Sequence, residues 1–300
     1  MGICDGRVVI VTGGGRGIGR EHSLAFAREG AKVVVNDLGG SADGQGSSAD
    51  AAAQVVEEIR ALGGEAVANG ADVADWDATA NLVEEAVSRF DRLDVVVNNA
   101  GILRDRMFVN TSIEEWDAVV RVHLRGHFCT SRHAAAYWRD RVKAGDRVSA
   151  RIINTSSGAG LQGSIGQSNY VAAKAGIAAL TLNQAAELER YGITANCIAP
   201  SARTRLTEGV FEDMMSLPDS GFDAMDPANI SPLVVWLGSE ESEGVTGRCF
   251  EIEGGQISVA DGWRTGPCID KGARWEASEL GAAMRGVLEK AVPAQKVFGT

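Results

Sequence analysis

The chain has 300 residues, of which 45% are hydrophobic, 23% charged and 37 are glycine, with a formal net charge of −11. That acidic balance, without any run of lysines and arginines, disfavours a nucleic-acid partner. No apolar run approaches the roughly 18–20 residues that span a bilayer, so no membrane partner is expected. The N-terminus enters a strand-like segment without a charged leader, which points to a cytoplasmic protein. Cys4, Cys129, Cys197, Cys249 and Cys268 are odd in number and lack a C-x-x-C pair, as expected of reduced, packed thiols.

Taken in order, short β-branched runs alternate with helical patterns. Residues 7–13, 31–37, 65–73, 93–101, 150–157 and 193–200 read as strands, and 248–255 closes the series. Strands that are apolar on both faces and alternate with helices predict an α/β fold, a doubly wound parallel sheet covered on both sides. Residues 1–260 form one such domain on this reading, and 261–300 an extension packed on it that contains a helix in "SELGAAMRGVLEKAV".

The first strand runs into "VTGGGRGIG", where Gly13, Gly17 and Gly19 permit a sharp turn and close approach of a pyrophosphate at a helix N-terminus. Asp37 ends the second strand, placed to accept hydrogen bonds from ribose hydroxyls and to repel a 2′-phosphate, which favours NAD over NADP. Arg16 within the loop pulls mildly the other way, because a guanidinium can pair with that phosphate. Two stretches break the βα rhythm. Residues 38–50 read equally as a surface loop or a functional one, and 205–227 as a substrate lid or a packed connection.

Further along, "GQSNYVAAKAG" places Lys174 one helical turn beyond Tyr170, so that an ammonium lies near a phenol and favours its ionised form. Taken alone, such a spacing is an ordinary exposed helix pair. His123 and His127 are also four apart, but no neighbouring Glu or Cys completes a ligand set, and no metal is expected. Arg104, Arg106, Arg203 and Arg205 fall in loops at the carboxyl ends of strands, either as surface ion pairs or as contacts to an anionic substrate.

Together these residues resemble the short-chain dehydrogenase/reductase family. The pattern T-G-x-x-x-G-x-G is met by Thr12, Gly13, Gly17 and Gly19, "NNAG" by Asn98 to Gly101, and Tyr-x-x-x-Lys by Tyr170 and Lys174; Ser157 stands thirteen residues before the tyrosine. The segments "VVVNDLGG", "NNAGILRDRMF", "VHLRGHF" and "IAPSARTRLT" are similar to the dehydrogenase part of peroxisomal multifunctional β-oxidation enzymes, which oxidise (3R)-hydroxyacyl-CoA, and to their stand-alone bacterial relatives.

The resemblance implies Tyr170 as acid-base, Ser157 as its partner on the substrate oxygen, and Lys174 as both phenolate stabiliser and ribose contact. It implies a cofactor shell of Gly13, Arg16, Gly17, Ile18, Gly19, Asp37, Asp72, Val73, Asn98, Ala100, Gly101, Tyr170, Lys174, Ala202 and Thr204. Asp72 reads equally as a helix N-cap. The family's helical asparagine, which holds a proton-relay water, is replaced by His123, either a substitute in the catalytic set or a packed core residue. Ser201 and an early Thr204 depart from the family's usual loop after Pro200. The implied function is NAD-dependent oxidation of a secondary alcohol, most simply a 3-hydroxyacyl-CoA, in a homodimer or homotetramer that uses two long helices at 113–140 and 168–190. The alternatives are a hydroxysteroid dehydrogenase acting on a free alcohol and a non-catalytic nucleotide-binding protein.

Overall fold

The computed structural model describes residues 2–205, 217–218 and 220–297. Seven parallel strands, β1 (Val8–Thr12), β2 (Lys32–Asn36), β3 (Ala66–Asn69), β4 (Val95–Asn98), β5 (Ala150–Thr155), β6 (Ile193–Ser201) and β7 (Cys249–Glu253), are joined by an antiparallel β8 (Gln256–Ala260). Their order is β3-β2-β1-β4-β5-β6-β7-β8. Connections leave β1 toward β2 on one side and reach β4 on the other, which opens a crevice at the carboxyl ends of β1 and β4.

The central strands are buried along their whole length because both faces are covered. On one face α1 (Gly17–Arg28), α2 (Asp50–Ala61) and α8 (Ser231–Gly238) bring Leu24, Phe26, Ile59 and Leu237 against Val9, Val11, Val33 and Val35. On the other, α3 (Trp76–Phe90), α5 (Gly126–Lys143) and α7 (Ser168–Leu188) set Leu82, Trp138 and Ala185 against Val8, Ile10 and Ile152. Alternate residues of β1 thus enter opposite cores, as the two-residue period of a strand requires.

Three differences from the sequence reading have physical causes. The strand series does not close at β7: Gly254 and Gly255 form a two-residue turn and β8 pairs back, Glu253 opposite Gln256. β8 is exposed over most of its length and so lacks the apolar run that marks the others. The helix expected over 113–140 is divided into α4 (Ile113–Val120), a π-helical segment Arg121–Arg125 and α5. A Ser112–Glu115 capping box starts α4. The third concerns Asp72: α3 is capped by Asp75, whose carboxylate accepts from Ala78 N, whereas Asp72 accepts from Ala74 N and pairs with Arg121.

Of the segment 205–227, residues 206–216 and 219 lie outside the described residues, and with them most of the expected lid. The expected C-terminal helix is α9 (Leu280–Leu288). Residues 261–274 are exposed throughout, while Val297 returns to the body and packs on Gly163, just beyond α6 (Gly158–Gln162). No helix among the described residues is long and apolar enough to cross a membrane.

Candidate active site

The crevice between β1 and β4 opens into a cavity of about 680 Å³. One end is made by the absence of side chains. Gly13 and Gly17 adopt φ of 61° and 51°, in the left-handed region. A Cβ on Gly19 would lie 2.0 Å from the Gly13 carbonyl oxygen, and one on Gly13 2.8 Å from Ala100 Cα. The turn therefore closes only with glycine at these places. Beyond it α1 begins without a side-chain cap at Arg16, so its first amide groups have no side-chain acceptor, and Gly17, Ile18 and Gly19 line the cavity.

Asp37 follows β2 and borders the same cavity. Its Oδ2 accepts from Gly15 N at 2.9 Å and its Oδ1 from Gly39 N at 2.7 Å, which fixes the carboxylate beside the glycine loop while leaving further lone pairs. Arg16 turns its guanidinium to the Gly40 carbonyl at 3.1 Å.

The opposite end is made of side chains. Tyr170 and Lys174 occupy the first turns of α7, and Ser157 stands two residues beyond β5 as the N-cap of α6. Lys174 Nζ donates to the Thr155 carbonyl at 2.6 Å and lies 5.4 Å from the centre of the Tyr170 ring. A Cβ on Gly160 would lie 2.6 Å from Lys174 Cβ, so glycine there lets α6 press against α7. Burial pushes the Tyr170 phenol up to about 12, although its hydrogen bond with Ser157 pulls the other way. Burial also drives the Lys174 ammonium down to about 7.

A family model described as short chain dehydrogenase matches residues 7–214. The chain belongs to the short-chain dehydrogenase family. It is therefore an oxidoreductase, and the fold above is that of this family. A hydroxyacyl-CoA dehydrogenase of Mycobacterium tuberculosis is 43% identical, over 99% of this chain and 93% of that one. The peroxisomal multifunctional enzyme type 2 of Mus musculus is 47% identical over 94% of this chain but only 34% of its own length. This dehydrogenase thus spans about a third of that relative. The crystal structure of a short chain dehydrogenase from Mycobacterium avium has a TM-score of 0.90 and 64% identity, with 100% of each chain covered.

The dehydrogenase's glycine cradle, uncapped helix start and adjacent carboxylate fit the dinucleotide cofactor of the NAD(P) type that the family uses. Gly13, Arg16, Gly17, Ile18, Gly19, Asp37, Asp72, Val73, Ala100, Gly101, Tyr170, Lys174, Ala202 and Thr204 all border the cavity. Asn98 does not. Its amide nitrogen is committed to Ser131 at 2.8 Å and Asn154 at 2.9 Å, in a buried polar network between β4 and β5. The next residue, Asn99, takes the place at the cavity and donates to the Thr12 and Gly13 carbonyls. The alternation of a strand carries the signal that would have found this: one asparagine of "NNAG" points into the sheet's cover and the other past its edge.

His123 sits in the π segment, fully buried, its ring edge-on to Tyr170 at 5.2 Å. Its Nε2 lies 2.8 Å from the Ile102 carbonyl and 3.1 Å from the Ile102 amide nitrogen. One imidazole nitrogen cannot donate and accept at once, and Nδ1 has no partner. The shorter contact favours Nε2–H donating to the carbonyl, which leaves Nδ1 as an unpaired acceptor. Burial, with Lys174 nearby, holds the ring well below the usual histidine range, hence neutral. His127 faces elsewhere, its Nε2 accepting from Thr155 N at 3.3 Å.

Among the arginines, Arg106 pairs with Glu115 and Arg203 with Asp223, while Arg205 borders the cavity. Arg104 donates to the Asp43 carbonyl at 3.0 Å. The cavity also takes in Leu38, Gly40, Ser41, Ala42 and Gly44 of the loop 38–50, which the sequence leaves open between a surface and a functional loop.

Proposed function

We propose that this dehydrogenase oxidises the 3-hydroxyl of an acyl-CoA thioester with NAD⁺. The observation that carries the reading is the two-ended cavity: a glycine cradle with the Asp37 carboxylate at one end and Tyr170 with Lys174 at the other. The relatives named for hydroxyacyl-CoA and for multifunctional peroxisomal chemistry support the substrate class. Arg205 at the cavity border suits an anionic CoA portion.

Tyr170 takes the hydroxyl proton of the substrate. A nicotinamide dinucleotide held by the glycine loop and Asp37 would supply the hydride acceptor for the carbinol carbon and a positive charge near Tyr170. Ser157 holds the substrate oxygen beside Tyr170 for that transfer. A phenol near 12 does not ionise by itself at neutral pH, and a lysine near 7 only half retains its proton. A phenolate raises the lysine's proton affinity and an ammonium lowers the phenol's, so the two titrate as a pair. Tyr170 becomes a usable base because its proton loss is matched by charge on Lys174. His123, anchored to the Ile102 backbone, sets its own ring edge-on to Tyr170 and so helps to position it.

Asp37 would repel a 2′-phosphate, which favours NAD⁺. A homodimer or homotetramer in the cytoplasm belongs to the same proposal; Phe128 on α5 and Leu182 on α7 are exposed and apolar, and a light-scattering mass reads the assembly directly. The test is nicotinamide absorbance with NAD⁺ or NADP⁺ and matched (3R)- and (3S)-hydroxyacyl-CoA, beside free steroid alcohols. Turnover is expected with one thioester epimer and NAD⁺, with a loss of about 10²–10⁴ in Tyr170→Phe. Turnover of free alcohols alone would overturn the thioester reading, and preference for NADP⁺ would overturn the role given to Asp37.

A further inference from the structure

The segment after Asp37 folds across the cofactor cavity. It is held in a turn of its own, with Ser41 N donating to the Gln45 carbonyl at 2.9 Å, Gly44 N to Ser41 O at 3.0 Å and Ser48 N to Leu38 O at 3.0 Å. Its tip is then fastened to the stretch that follows β4. Leu103 N donates to the Ala42 carbonyl and Arg104 Nε to the Asp43 carbonyl, each at 3.0 Å. A Cβ on Gly44 would lie 3.0 Å from Ile102 Cδ1, so the tip seats directly on that side chain.

The same stretch is fastened on its far side to His123 and to the residues that lead into Tyr170. Asn169 Nδ2 donates to the Arg104 carbonyl at 3.0 Å, Gln167 Nε2 to Asp105 Oδ2 at 2.8 Å, and Arg106 N to the Gly166 carbonyl at 2.8 Å. Ile102 meets His123. Asn169 is 1% exposed, and its Oδ1 accepts from the backbone N–H of Tyr170 at 2.7 Å. Each residue from Ile102 to Arg106 is therefore bonded to the cofactor wall, to the catalytic side, or, at Arg104, to both.

We propose that residues 102–106 link the wall segment 38–48 to the placement of Tyr170, with Arg104 as the positioning residue at which the two sets of bonds meet. The inference rests on the nicotinamide site proposed above. On this account Arg104 retains the bound cofactor through Asp43 and orders the start of α7 through Asn169. Whatever tightens one side tightens the other, since coupling between sites is reciprocal. Neither Arg104 nor Asn169 borders the cavity, so any effect on cofactor release travels through the link.

NADH is the probe. Its affinity and release rate are measured by fluorescence and by stopped-flow displacement, alongside hydrogen exchange of the whole chain, for the parent, Arg104→Ala, Arg104→Lys and Asn169→Ala. Arg104→Ala should speed NADH release about five- to tenfold, within the range expected for one lost hydrogen bond of an exposed side chain. Exchange should rise in both 38–48 and 164–170 but not in β1 or β5. Arg104→Lys, which keeps a donor, should recover part of the loss. Asn169→Ala, altered on the catalytic side alone, should also speed NADH release and exchange of 38–48. Release within twofold of the parent in both alanine variants, or exchange confined to the side that was altered, overturns the link and leaves the site reading intact. A parent that does not bind NADH overturns the site reading, and the link with it.

Discussion

The glycine loop and the start of α7 face one another across a single cavity, and they are made in opposite ways. At Gly13 and Gly19 the site exists because side chains are missing; the nearest atoms to an added Cβ are backbone at 2.8 and 2.0 Å. At Tyr170 and Lys174 it exists because two ionisable side chains are buried where water would serve them better, one pushed up to about 12 and the other down to about 7. The first end stores no electrostatic cost and is intolerant of size. The second carries a cost in stability and should be relieved when the charge is removed.

That difference is sharpest at Lys174. A lysine in water titrates near 10.5 and this one near 7, so between those values the unfolded chain holds a proton that the folded chain has lost. Stability rises as pH climbs through this window and is lost as pH falls back through it. Lys174→Met keeps the side chain's length without the ammonium. It should abolish turnover and yet be more stable than the parent by about 2 kcal/mol near pH 7, the burial cost less the lost bond to Thr155 O. Near pH 10 the advantage should vanish. Urea melts across this range read it; a difference that does not change with pH would show that the lysine carries no such cost.

The glycine end predicts the reverse pattern. Gly19→Ala forces a methyl toward the Gly13 carbonyl and should cost about 1–3 kcal/mol at every pH, the usual range for overpacking. NADH affinity should fall at least about tenfold. Gly70→Ala, with nothing within 4 Å of the added carbon, serves as the control. Equal melts for the two variants would mean that the turn yields more readily than its contacts require.

The same contrast explains what the sequence disclosed. Backbone requirements leave a literal trace: a left-handed turn or close approach demands glycine, so Gly13, Gly17 and Gly19 were legible from spacing, as was the alternation that builds the parallel sheet. Tyr170 and Lys174 were legible as a pair one turn apart, although their mutual cost was not, because burial depends on how α6 and β5 close over α7. Asn98 was misplaced for want of strand phase. The loop after β2 stays open in the sequence between a surface and a functional reading because its bonds to 103 and 104 are backbone carbonyls meeting partners some sixty residues away, for which polar loop composition gives no signal. β8 was missed because an exposed edge strand needs no apolar run.

His123 joins the two modes of construction, since it is a buried side chain whose room comes from a glycine. A Cβ on Gly101 would lie 2.3 Å from His123 Cε1, which gives Gly101 a packing duty as well as its place at the cavity. The imidazole meets the Ile102 amide and carbonyl with one nitrogen and leaves Nδ1 unpaired. An asparagine amide can donate to that carbonyl and accept from that N–H together. His123→Asn should therefore retain turnover and match or exceed the parent's stability, by about 1 kcal/mol at most, since the gained hydrogen bond is offset by lost packing of the ring. Gly101→Ala alone should destabilise by about 1–3 kcal/mol through the clash, and far less in the His123→Asn background. A coupling near zero in that double-mutant cycle would mean that the ring can move aside, and then the edge-on contact with Tyr170 would not be what fixes the tyrosine's position.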